Sequence, residues 1–95
     1  MKNLLEVLFG PNRIQKVKIL LLLKDKPTYI SQIARELKID QPTVTGHIHT
    51  LEEVGLVTHE KIGPLKMYQL TDFAKNEIIP CIERLMKTHL KERKK

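Results

Sequence analysis

Tryptophan is absent, cysteine occurs once, and only four residues are phenylalanine or tyrosine. The lone Cys81 cannot close a disulfide within the chain, so packing alone must hold the fold. With Phe9, Tyr29, Tyr68 and Phe73 as its only such rings, the chain lacks the aromatic platform on which single-stranded nucleic acid stacks. The longest uninterrupted apolar run, Ile19 to Leu23, is far too short to cross a bilayer. The opening MKNLLEVLFGP carries Glu6 and no small-residue cleavage site, which argues against a secretory signal. Glycine-rich phosphate loops, nucleophile–base arrangements, internal repeats and low-complexity segments are also missing. These absences lead us to expect a cytoplasmic protein with no catalytic site, no cofactor and no membrane partner.

What is present fits one domain spanning residues 1–95, large enough to fold on a hydrophobic core. The formal net charge of +6 invites a nucleic-acid reading, but its location tempers that. Residues 87–95 hold Lys87, Lys91, Arg93, Lys94 and Lys95 against Glu92, a net of +4. Between Thr28 and Leu70, Arg35, Lys38, Lys61 and Lys66 face Glu36, Asp40, Glu52, Glu53 and Glu60, a net of −1.

That middle stretch organises the chain. Ile33, Ala34 and Leu37 have the spacing of a short amphipathic helix, with Ser31 expected as its N-cap. Asp40 or Gln41 caps a second helix, with Pro42 in the tolerated first turn, Val44, Ile48 and Leu51 on the buried side and Gly55 placed to end it. A tight turn joins them, giving a helix-turn-helix over residues 31–54. On the second helix Pro42, Gly46, His49 and Glu53 are expected to project outward, with Thr45 flanking them. A glycine in mid-helix costs roughly 0.8–1 kcal/mol against alanine, so close approach of another surface is the reason we assign to Gly46. Gln41, Thr43, Thr45, His47 and His49 offer amide, hydroxyl and imidazole groups that suit base edges or phosphates.

Upstream, Leu4, Leu5 and Leu8 mark a short helix ended by Gly10 and Pro11, with Phe9 packed at its end. Asn12 is expected to cap a strut helix, Arg13 to Leu23, whose apolar face is Ile14, Val17, Leu20 and Leu21, with Lys16 and Lys18 wet. Thr28 to Ile30 are read as a brief strand. After Gly55, Leu56–Lys61 and Leu65–Leu70 alternate as a hairpin around Ile62, Gly63 and Pro64. Lys61 and Lys66 flank its tip, where we expect contact with phosphate or a minor groove. Thr71 caps a long final helix over residues 71–92, kinked by Pro80. Its stripe of Ile78, Cys81, Ile82, Leu85, Met86 and Leu90 exceeds what so small a core can cover. With the Leu4, Leu5 and Leu8 face, it suggests a homodimer interface.

The segments QPTVTGHIHTLEEVGLV and HEKIGPLKMYQLT resemble the recognition helix and wing of the ArsR-type winged-helix regulators and, more distantly, MarR-type proteins. LLEVLFGPNRIQKVKILLLL and LTDFAKNEI extend the likeness over most of the chain. The resemblance implies a mainly α winged helix-turn-helix, with residues 56–70 as wing and residues 71–92 as dimerisation helix. It also implies double-stranded DNA as partner, and places Tyr29 where family members commonly touch the phosphate backbone; an ordinary packed aromatic is the equal alternative there. His89-x-x-Glu92 is similar to half of the metal site that some ArsR-type sensors hold on the last helix. The upstream pair would fall at Asn76 and Ile78, and Ile78 cannot ligate, so no metal is expected. The leading expectation is a sequence-specific DNA-binding transcription regulator acting as a homodimer. A winged-helix protein-interaction module, or subunit of a larger assembly, is the rival, supported by the near-neutral reading segment.

Overall fold

The computed structural model describes residues 3–93, with side chains described through Thr88. Lys94 and Lys95, the side chains of His89 and Glu92, and Leu90 of the expected stripe therefore lie outside what is described. Helices α1 (Leu4–Phe9), α2 (Arg13–Asp25), α3 (Ile30–Leu37) and α4 (Gln41–Glu53) lead to an antiparallel hairpin of β1 (Val57–Ile62) and β2 (Leu65–Leu70). A single wide π-turn, Ala74–Ile78, then runs into α5 (Ile79–Arg93).

Each boundary has a local cause. The Asn3 side chain accepts a 2.9 Å hydrogen bond from the Glu6 N–H and so starts α1. α3 begins two residues earlier than its sequence suggests: Tyr29 is the cap position and offers no side-chain bond, and Ser31 lies inside the helix. The expected strand Thr28–Ile30 shrinks to one bridge, in which Thr28 exchanges backbone hydrogen bonds of 3.0 and 2.8 Å with Tyr68. α3 ends at Lys38 in the left-handed region, and two residues later Asp40 caps α4, which keeps the inter-helix turn tight. Gly55, at φ +82°, closes α4 while Leu56 donates back to the Leu51 carbonyl at 2.9 Å.

The hairpin runs in strict register from Val57 opposite Leu70 to Ile62 opposite Leu65. Gly63 and Pro64 form its turn; φ at Gly63 is +60°, the primed geometry that matches strand twist. Thr71 ties wing to helix, since its hydroxyl donates to the Gly55 carbonyl at 2.7 Å and accepts from the Ala74 N–H at 3.2 Å. Pro80 has no N–H and its ring crowds the carbonyl four residues back. The helix meets this with the π-turn: Ile79 donates to the Ala74 carbonyl, five residues back, and Pro80 then sits in the first turn of α5.

The core joins Val7 of α1, Ile19, Leu20 and Leu23 of α2, Ile33 of α3, and Val44, Ile48 and Leu51 of α4. Ala34, Leu56, Val57, Tyr68, Leu70, Ala74, Ile78, Ile79 and Ile82 complete it. α2 is rotated relative to the sequence reading. Its buried stripe is Lys16, Ile19, Leu20 and Leu23, whereas Ile14 is exposed. The helix is apolar on two sides, so periodicity alone did not choose between them. Lys16 is tolerated because its stem packs while its Nζ reaches the Pro11 carbonyl at 3.3 Å. Phe9, expected to pack at the end of α1, is 63% exposed instead.

Candidate nucleic-acid interface

α4 is anchored by Val44, Ile48 and Leu51, each with no exposed surface, and this fixes which of its residues face outward. Gln41, Thr45, His49 and Glu53 recur every four residues and form one ridge. Gln41, His49 and Glu53 are exposed and Thr45 is half-buried. None of the four side chains has a hydrogen-bond or ionic partner within the described residues. Gly46 lies beside this ridge, exposed, and a Cβ built on it meets nothing within 4 Å. Nothing inside the subunit therefore requires glycine there.

Two expected members of the face are diverted. His47 is 7% exposed, and its Nε2–H donates to Gln15 Oε1 of α2 at 2.7 Å, with the tautomer assigned from that contact. Burial first, and the nearby Lys16 charge second, push its pKa below the ordinary imidazole value. His47 is thus a strut between α2 and α4, not an outward reader. The signal was available: position 47 lies three residues after Val44 and four before Leu51, on the flank of the buried stripe. Thr43 is half-buried, and its hydroxyl donates to the Asp40 carboxylate at 2.8–2.9 Å while Asp40 accepts its N–H at 3.1 Å. The Thr43 hydroxyl bond first, then its N–H, hold the Asp40 carboxyl below the usual carboxylate range. The positive end of α4 thus already carries the protein's own carboxylate and is not an open anion seat. Thr50 is engaged too, donating to the Gly46 carbonyl at 3.1 Å.

The hairpin is fixed against α4. The His59 Nδ1–H donates to Glu52 Oε2 at 2.5 Å, and the His59 ring lies against Tyr68, centroids 5.2 Å apart. Tyr68 is nearly fully buried, and burial, followed by the Glu52 charge, raises its phenol pKa. Sequence reasoning missed this clasp, although His59 shares its strand face with Val57, which is turned inward. Lys61 and Lys66 stand directly opposite each other across the strands and are both exposed. Like charges in that position destabilise a hairpin. A polyanion along this face would relieve the repulsion. An open groove of about 290 Å³ brings together Tyr29, Ser31 and Gln41 from the helical side with Pro64, Leu65 and Lys66 from the wing. Lys61 does not line it.

Of the expected dimer residues, Leu5, Cys81, Leu85 and Met86 are exposed, with Leu5 at 66% and Leu85 at 55%. Ile78 and Ile82 belong to the subunit's own core, and Leu4 and Leu8 are half-buried against it. Those four are therefore at most the floor of an interface, because Ile78 and Ile82 are buried in the core and Leu4 and Leu8 pack against it. Leu8, Phe9, Val17, Leu85 and Met86 border an apolar groove of about 210 Å³. Among the described residues no cluster of three or more His, Cys, Asp or Glu could hold a metal ion, and no helix is long and apolar enough to cross a membrane.

Comparison with known proteins agrees with this architecture. The profile described as "bacterial regulatory protein, arsR family" matches residues 14–59. The chain is 33% identical over 78 residues to MJ1325 of Methanocaldococcus jannaschii, an uncharacterized HTH-type transcriptional regulator, covering 81% of this chain and 85% of that one. It is 33% identical over 70 residues to the HTH-type transcriptional repressor SmtB of Mycobacterium tuberculosis, covering 74% of this chain but only half of SmtB. The fold is similar to the homodimeric winged helix-turn-helix DNA-binding domain Mb0332 of Mycobacterium bovis. That likeness has a TM-score of 0.75 at 18% identity and covers 85% of this chain and 75% of the other. These relatives belong to a class of regulators, not of enzymes. With its helix-turn-helix, its two-stranded wing and these likenesses, the chain belongs to the arsR family of bacterial regulatory proteins.

Proposed function

We propose that this protein is a sequence-specific double-stranded DNA-binding transcription regulator that acts in the cytoplasm as a homodimer. Residues 1–95 serve in this reading as a single winged-helix unit. The observation that carries it is Gly46: a mid-helix glycine with empty space above it, beside a row of polar side chains that have no partner among the described residues. Such a notch costs helix stability and gains nothing inside the subunit, whereas it lets a backbone lie close to a groove edge. Gln41, Thr45, Gly46 and His49 face the bases and adjoining phosphates, and Tyr29, Lys61 and Lys66 hold the strand backbone. The exposed Leu5, Phe9, Cys81, Leu85 and Met86 receive a second copy, whose recognition helix enters the next major groove about 34 Å away. Mb0332, which shares the fold, is described as homodimeric.

A gel-shift titration with duplex fragments selected by the wild-type protein tests this. Thr45→Glu and His49→Glu are expected to abolish binding while sedimentation still finds a dimer; unchanged affinity in both variants contradicts the assignment of this face. The protein-interaction reading keeps one specific support, the net −1 of residues 28–70 with Asp40 at the start of α4. Failure to bind any duplex at low salt would favour it.

A further inference from the structure

Hydrogen-bonding capacity along α4 is unevenly available, and that narrows what the helix can read. Thr43, His47, Thr50 and Glu52 all spend their side chains inside the subunit, on Asp40, Gln15, the Gly46 carbonyl and His59 respectively. Among the described residues Gln41, Thr45 and His49 have no side-chain partner. They form a single ridge that rises roughly 12 Å from Gln41 to His49, close to the length of three to four base-pair steps. From Gln41 to Glu53 the helix contains no arginine or lysine. The commonest specific contact in a major groove, a cation bidentate to guanine O6 and N7, is therefore missing from this helix. The ridge ends in exposed, unpartnered Glu53, whose charge turns that end away from phosphate. At the N-terminal end the Asp40 carboxylate is held by the Thr43 N–H and hydroxyl, whereas Glu53 is unpartnered among the described residues, and this first turn is taken as the reading edge.

Resting on the DNA-binding reading above, we infer that Gln41 is the specificity-determining residue of α4 and reads an adenine through its carboxamide. That group can accept from adenine N6 and donate to N7 at the same time. Gln41 sits in the first turn of α4, the part of a recognition helix that meets base edges, with its side chain exposed and unpartnered. The Thr45 methyl, one turn on, suits the thymine C5-methyl, so the pairs beneath the first two turns are A·T. Gly46 beside it removes the methylene that would hold the helix off.

The test is selection from a random duplex library by the full chain and by its Gln41→Ala and Gln41→Arg variants, with circular dichroism checking that each is folded. The wild type is expected to enrich a half-site with an adenine preference at one position. Gln41→Ala should erase that preference, lowering discrimination there roughly 5- to 150-fold while other positions persist. Gln41→Arg should move the same position to guanine. An adenine preference that survives Gln41→Ala, or a motif whose strongest position is a guanine insensitive to both variants, overturns the inference and leaves the regulator reading intact. Failure of the wild-type chain to enrich any motif overturns both.

Discussion

Replacing Gly46 with alanine should make the protein more stable and a worse DNA binder. The added methyl meets nothing within 4 Å, so it introduces no clash in the free protein. The gain is the helix-propensity difference, about 0.8–1 kcal/mol for a position in mid-helix. For a domain of this size that raises the thermal midpoint by roughly 4–8 °C, measured at fixed protein concentration because dimerisation also shifts the midpoint. On the DNA side the same methyl enters a closely packed contact, where an extra carbon typically costs roughly 1–3 kcal/mol, or about 5- to 150-fold in affinity. Circular dichroism melts read the first quantity and anisotropy titration with a selected duplex reads the second. Stabilisation with unchanged affinity would refute the notch argument, and no stabilisation would refute the claim that the glycine is a local liability.

Four further outcomes follow from the contacts above. Lys61→Glu replaces a like-charge cross-strand pair by an ion pair with Lys66, so the wing should gain roughly 0.2–1 kcal/mol in urea unfolding while duplex affinity and its salt slope both fall. Asp40→Asn keeps a side chain that caps as well as aspartate but removes the charge at the start of α4; stability should stay nearly level and low-salt duplex affinity should rise. His47 gives a pH dependence. Well above about pH 6.5, the ordinary imidazole pKa, its ring is neutral in both folded and unfolded chains and adds no slope. Below that the unfolded chain binds the proton first, because burial and Lys16 lower the folded pKa, so stability falls with pH until the folded ring titrates too. Equilibrium unfolding across that window should lose this component in His47→Leu. Finally, Leu85→Glu should yield a folded monomer by sedimentation, whereas Ile82→Glu, which charges a core position, should unfold the chain.

Where one choice of face was chemically compelling, the sequence was informative. Val44, Ile48 and Leu51 anchored α4 as their spacing indicated, Gly55 took the left-handed position, and the hairpin turned at Gly63 and Pro64. Ambiguity arose where two faces were both apolar. α2 carries Ile14, Val17 and Leu21 on one side and Ile19, Leu20 and Leu23 on another, and only the placement of α1 and α3 decides which is buried. The reading face was misjudged where a polar group had an internal employment that residue type does not reveal. The Thr43 hydroxyl is spent on a cap and His47 on Gln15. Pro80 was recognised as a disturbance, but the sequence did not specify its form, because a kink and a π-turn both relieve the same missing donor.

Central to the account is that the α4 ridge and the paired wing lysines lie against duplex DNA. The most direct measurement is anisotropy of a selected duplex and of a scrambled duplex of equal length, titrated with the wild-type chain over a range of salt concentrations. Saturable binding that prefers the selected sequence is expected. The log–log salt slope should be roughly −3.6, the value for Lys61 and Lys66 of both protomers each neutralising one phosphate. Equal affinity for the two duplexes, or no binding at the lowest salt, would contradict it.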